Sequence, residues 1–142
     1  MGVPADANRR LRRLPKVDEV LRTDPATVCG LKAFLGSSTG NMLVDAPETL
    51  DALFRRAHML LAVHAEHEPT VRANMQLAVA KWGEAIPLEQ HPIIRNEEAC
   101  YRSSSNAVAL AKEHGTRLHV LHISTARELE LFAPGPMEGK HI

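Results

Sequence analysis

The sequence predicts an α/β fold with parallel strands, arranged as part of a (β/α)8 barrel, the TIM barrel, with about three strands and their covering helices. Three observations predict it. Short apolar runs alternate with longer helical patterns, the order expected of a parallel sheet. Three of those runs, at Leu31–Leu35, Leu61–His64 and Leu118–His122, hold or end on a side chain able to bind a metal. Each is followed by a loop and then a helical pattern, and β/α barrels build catalytic centres from such strand ends on one face.

Taken in order, residues 1–24 read as a helical lead-in and residues 25–142 as three β/α units. Asn8–Leu14 is basic, Pro15 is expected to interrupt it, and Val17–Arg22 resumes a helix that Asp24-Pro25 ends. Val28–Leu35, bounded by Gly30 and Gly36, reads as a buried strand. The next helix should begin with Asp45 as cap, Glu48 at capping-box spacing and Pro47 in the first turn. Leu50, Leu53, Phe54 and Ala57 form its apolar stripe.

Leu60–Val63 is the second strand, and Glu68-Pro69 opens a helix with Val71, Met75, Ala78 and Trp82 on one face and Gly83 as its stop. Residues 86–94 read as a loop. Asn96 should cap a long helix to His114, with Cys100, Ala107 and Ala111 inward and Gly115 at its end. Arg117–Ile123 is the third strand, and Ser124 or Thr125 should cap a last helix, Ala126–Phe132. Lys140–Ile142 reads as the entry to a further strand. The exposed edges of a three-stranded parallel sheet imply self-association or a complementing chain.

Composition narrows the function. The 142 residues carry 17 basic and 17 acidic side chains, so no long-range field draws nucleic acid or an anionic membrane. Aromatics are only 4%, which argues against base-stacking platforms. No apolar run approaches the ~20 residues that span a bilayer. The first 16 residues lack the apolar core of a signal peptide. Cys29 and Cys100 are too few for a disulfide framework and read as buried free thiols, in keeping with a cytoplasmic location.

Candidate chemistry sits at the strand ends. His64 directly follows an apolar run, and a neutral imidazole there suits zinc. Glu66 could orient His64 from behind, whereas His67 reads as a solvated residue of the helix start. By strand alternation His122 shares a face with Val120 and Leu118, and His119 points to the opposite face, towards covering helices. His119, His58, His91, His114 and His141 read as structural. Lys32 lies inside an apolar strand, where burial would lower its pKa and expose a neutral amine. Gly36-Ser-Ser-Thr-Gly40 lacks the Gly-Lys-Ser/Thr ending of a phosphate loop. It reads instead as a strand-to-helix loop that could hold a substrate, with Asn41 as the candidate contact. No Gly-x-Ser-x-Gly elbow surrounds Ser37, Ser38 or Ser124, which disfavours a serine hydrolase.

These residues resemble a known family. The run Val28–Asp45, with its Leu-Lys-Ala-Phe-Leu-Gly-Ser-Ser-Thr-Gly-Asn-Met core, is similar to the fourth-strand segment of bacterial dihydroorotases of the amidohydrolase superfamily. His64-Ala-Glu-His-Glu68 resembles the fifth-strand motif, His91–Arg95 with Glu98–Cys100 the connecting segment, and Arg117–Ala126 with Glu128-Leu129 the sixth strand and its helix. Hydantoinases and allantoinases share the Lys, His, His skeleton, so a fragment of such a cyclic amidase, or a non-catalytic remnant that assembles with a partner chain, is the alternative.

The resemblance implies zinc-dependent reversible hydrolysis of dihydroorotate to N-carbamoyl-aspartate, a step of pyrimidine biosynthesis. Lys32 would carry a CO2-derived carbamate bridging two Zn2+ ions, and His64 and His122 would bind the second zinc. The family also uses a His-x-His pair on the first strand and an Asp after the eighth. No His-x-His occurs in the chain, and no Asp follows Asp51. The expectation is therefore an internal fragment, covering about strands four to six, that has no complete catalytic set and no activity on its own.

Overall fold

The computed structural model describes residues 15–37, 43–136 and 138–142. The expected helix at Asn8–Leu14 and the substrate contact Asn41 lie outside them. The elements run α1 (Pro15–Val20), β1 (Leu31–Phe34), α2 (Pro47–Arg56), β2 (Leu61–His64), α3 (Glu68–Trp82), α4 (His91–Ile94), α5 (Glu97–His114) and β3 (Leu118–Val120). Single 3-10 turns lie at Leu88–Gln90 and Arg127–Leu131. The fold is α/β, with three parallel strands in the order β1-β2-β3.

The register is set by side-chain alternation. Leu31 aligns with Leu61 and Leu118, and Ala33 with Val63 and Val120. These residues face α2 and α5, where Leu50, Leu53, Phe54, Ala107, Val108 and Ala111 complete the main core. Phe54 is only 1% exposed, and burying such a side chain contributes about 1.5–3 kcal/mol. A smaller apolar cluster of Val71, Ala78, Ile94 and Ala99 fastens α3 to α4 and α5. The opposite sheet face carries Lys32, Phe34, Ala62, His64 and His119 and has no helical cover among the described residues.

Several expectations shift. Pro15–Val20 is helical, and the expected interruption at Pro15 concerns a preceding segment that lies outside the described residues. Asp45 does not cap α2. The cap is Ala46, with extended backbone and no side-chain hydrogen bond, since the residue before Pro47 is kept out of the helical region. Met75 is 41% exposed, because only a narrow stripe of α3 meets Ile94 and Ala99. The segment 86–94 is not a plain loop: a 3-10 turn leads into α4. Cys29 is exposed, outside the shorter strand that begins at Leu31, whereas Cys100 is buried. The Asn96 cap on Ala99 N–H, the left-handed Gly115 and the Gly83 stop fall where the sequence places them.

One close approach locks the strand ends. A Cβ on Gly36 would stand 2.0 Å from the Glu66 carbonyl oxygen. Leu35 N–H donates to His64 O at 2.9 Å and Leu121 N–H to Val63 O at 3.0 Å, so the ladder runs past all three strands at one level. Gly36→Ala is expected to lower unfolding stability by about 1–3 kcal/mol through overpacking. Gly135→Ala, where nothing lies within 4 Å of the new methyl, should stay within about 0.5 kcal/mol. Urea denaturation of the two variants checks this.

Under native conditions iodoacetamide should label Cys29 and spare Cys100, whose thiol burial pushes its pKa up to about 11. Peptide mass spectrometry reads the outcome.

Candidate metal centre

His64 is the last residue of β2, and alternation turns it to the open face, where Phe34 is its register partner. Its Nδ1 lies 3.0 Å from His122 Nε2, and the ring centroids are 4.8 Å apart. Its Nε2 lies 2.8 Å from Glu66 Oε2. A carboxylate accepts only, so in this contact His64 Nε2–H is the donor. Glu66 is 6% exposed, and the same Oε2 also accepts from Arg95 Nη1 at 2.8 Å.

His122 reaches this place by a different route from the one its position predicts. Continued alternation would put it on the helix-facing side with Leu118 and Val120. β3 ends at Val120, however, and His122 takes a left-handed backbone with φ 38° that swings the ring towards His64. His119 corrects the same expectation. It pairs with Ala62 on the open face and is exposed, not turned towards covering helices.

Lys32 is also corrected. It is exposed on the open face, with Nζ 4.2 Å from the centre of the Phe34 ring. Leaving the helix-facing core spares the lysine the cost of burial. Partial desolvation still lowers its pKa from the usual lysine value. Phe34 in turn lies with its ring centroid 6.0 Å from that of His64.

The other histidines have local partners or none. His67 Nδ1 meets Thr70 Oγ1 at 2.7 Å, and desolvation, reinforced by Arg102 and opposed by Glu98, lowers its pKa. His58 contacts Thr23 O, and His114 pairs with Asp51 at 2.9 Å. Among the described residues, no three His, Cys, Asp or Glu side chains gather into a metal-holding group. The candidate centre is thus two facing imidazoles, with Lys32 further along the same face.

A groove of about 450 Å³ opens beside the pair, lined among others by His91, Arg95, Ser124 and Thr125. This is the size of a small-ligand site. Sequence reasoning missed two of the supports around it. Arg95 gave no signal beyond its place in the connecting segment. Glu128 is a buried carboxylate, 3% exposed, and the capping-box spacing Thr125-x-x-Glu128 is the signal that could have found it. The cap of its turn is Ala126, without a side-chain hydrogen bond, and not the expected Ser124 or Thr125; Glu128 reaches back and accepts from Thr125 N–H and Oγ1.

With this geometry in view, comparison with known proteins gives a consistent picture. No protein-family model matches the chain. Over 130 residues it is 27% identical to an L-hydantoinase of Paenarthrobacter aurescens, an alignment covering 87% of this chain and 28% of that protein. Among solved structures, an L-hydantoinase (dihydropyrimidinase) from Arthrobacter aurescens superposes with TM-score 0.67 at 25% identity, covering 92% of this chain and 27% of that one. A D-hydantoinase gives TM-score 0.70 at 21% identity, covering 81% and 25%. A dihydropyrimidinase from Brevibacillus agri gives 0.70 at 24%, covering 84% and 26%.

The three parallel strands and their helices therefore match part of a hydantoinase-type barrel. Its relatives are hydantoinase- and dihydropyrimidinase-type proteins, and the chain spans about a quarter of their length. These relatives point to the hydantoinase and dihydropyrimidinase kind and do not single out a dihydroorotase.

Glu68 yields a pH prediction. Its carboxylate accepts from Ser37 N–H at 2.8 Å, the main reason its pKa is lowered; Arg72 and Arg95 add to this and burial opposes it. A depressed carboxylate pKa contributes stability above the unfolded value of about 4.3. That contribution is lost as pH falls through the lower folded value. Glu68→Gln should therefore be less stable than the parent at neutral pH, and the gap should close in acid. Chemical denaturation across that range tests it.

Proposed function

We propose that this chain supplies three consecutive β/α units of a metal-dependent cyclic-amide hydrolase of the hydantoinase and dihydropyrimidinase kind. The facing pair His64 Nδ1 and His122 Nε2, 3.0 Å apart, carries the reading. Imidazole nitrogens bind zinc at about 2.0–2.1 Å, and two such bonds to one ion are compatible with that separation. Metal-binding histidines commonly donate their second N–H to a carboxylate, which is the arrangement of His64 with Glu66. The two imidazoles would supply part of the ligand set of one ion.

His64 and His122 would hold that ion. Glu66 keeps the His64 proton at Nε2, and Arg95 pairs with the same carboxylate oxygen. Lys32, on the same sheet face with a lowered pKa, would bridge to a second ion. Its neutral amine would add to CO2, forming an N–C bond and releasing one proton, to leave an anionic carbamate. When bound, the metals would polarise the ring carbonyl and lower the pKa of a water. The groove beside the imidazoles would receive a small cyclic amide.

The relatives favour a hydantoin or dihydropyrimidine ring over dihydroorotate. The narrower dihydroorotase reading rests on residues 36–42, of which 38–42 lie outside the described residues. The His-x-His pair and late Asp implied by the resemblance are not among these 142 residues, so a complete site would need them supplied from outside this segment.

The test is complementation. Alone, the chain should show no hydrolysis. Assembled with segments that supply the His pair and the Asp, it should hydrolyse hydantoin or dihydrouracil faster than dihydroorotate. His64→Ala and His122→Ala should each lower that rate by at least ~10-fold, the smallest loss typical of disturbed metal sites. Turnover by the chain alone, or an assembly indifferent to both histidines, overturns the proposal. Preference for dihydroorotate restores the narrower reading.

A further inference from the structure

Glu128 is the least expected charge in the molecule. It lies in the 3-10 turn Arg127–Leu131 and is 3% exposed. Burying a carboxylate is expensive unless its oxygens are satisfied. Here no cation satisfies them: among the described residues, no ion pair involves Glu128. Instead Oε1 accepts from Ser104 Oγ at 2.5 Å, and Oε2 accepts from Thr125 Oγ1 at 2.9 Å and Thr125 N–H at 3.3 Å. Ser104 is fully buried on α5. The carboxylate thus ties the loop after β3 to a helix in the main core.

That loop carries the strained residue of the site. His122 has φ 38°, which is rare and costly for a side chain with a Cβ. Such a backbone persists only where its surroundings impose it. Two contacts do so from the C-terminal side. Ser124 Oγ donates to His122 O at 2.8 Å, and Thr125, three residues beyond His122, is held at two points by Glu128. The loop leaves β3 after Leu121 N–H has bonded Val63 O. His122 is therefore fixed at one end by the sheet and at the other by Glu128.

We propose that Glu128 is a positioning residue for His122: by clamping Thr125 against Ser104 it imposes the left-handed turn that brings His122 Nε2 to His64 Nδ1. It touches neither imidazole. Its significance for hydrolysis rests on the proposed function, but the geometry it controls exists without any metal. A cap of the local helix alone would need only the Thr125 contacts. The added bond to Ser104 fixes the loop relative to α5, and just before that helix and its Asn96 cap Arg95 bears on His64 through Glu66.

The experiment uses the full chain with isotope-labelled histidine, free of metal, and reads ring-nitrogen resonances and cross-ring contacts by NMR. In Glu128→Ala neither Ser104 nor Thr125 keeps its acceptor. The His64–His122 contact should be lost and both rings' resonances should move, while His58 and His114 stay in place as controls for the fold. Unchanged His64 and His122 signals in folded Glu128→Ala overturn the proposal.

Milder variants keep the test decisive if that one fails to fold. Thr125→Val should move the His122 signals and Thr125→Ser should restore them, whereas a Thr125→Val spectrum identical to the parent overturns it. Because no metal and no substrate enter the measurement, its failure is distinct from failure of the hydrolase reading.

Discussion

Everything in this molecule depends on the level register of three parallel strand ends. Leu31, Leu61 and Leu118 stand side by side, as do Ala33, Val63 and Val120. Parallel pairing leaves no freedom to slip by one residue, since a slip would send the apolar face to solvent and the polar face into the helices. The same register that buries Leu61 and Val63 completely therefore delivers Lys32 and His64 to the other face. The missing side chain of Gly36 lets the chain pass against Glu66 O, which keeps the ends of β1 and β2 in step.

The site shows two ways of aiming a ligand. His64 is aimed by strand geometry and held by a buried carboxylate that is itself paired with Arg95. His122 is aimed by a backbone excursion beyond the end of its strand. The first is robust, because the whole core supports it. The second depends on a few hydrogen bonds in a loop. Functional groups commonly sit on loops that a rigid scaffold positions, and here one imidazole belongs to each class.

Much of this was legible in the sequence, for identifiable reasons. Gly83, Asn96 and Gly115 mark helix ends by local chemistry, and local chemistry survives tertiary context. The apolar runs of β1 to β3 declare themselves because core strands need such runs. Lys32, His64 and His122 stood out because polar side chains in or beside apolar runs need a reason. Their orientation was less legible. Period-two alternation assigns His122 correctly only if the strand continues, and β3 stops at Val120. It also assigns His119 to the helices, because relative parity alone does not say which face is covered. Lys32 was expected to be buried for the same reason. The roles of Arg95 and Glu128 were not legible, because Glu66 and Ser104 reach them only through the fold; Thr125, three residues before Glu128, is the local exception.

The central claim is that His64 and His122 act as one donor pair. Adding Zn2+ to the full chain, with histidine ring resonances followed by NMR, tests it most directly. The His64 and His122 nitrogens should shift together with one ion per chain, the His64 proton should stay on Nε2 against Glu66, and His58, His114 and His119 should not respond. Zinc that perturbs other histidines while leaving His64 and His122 unmoved, or that perturbs only one of the two, would contradict it.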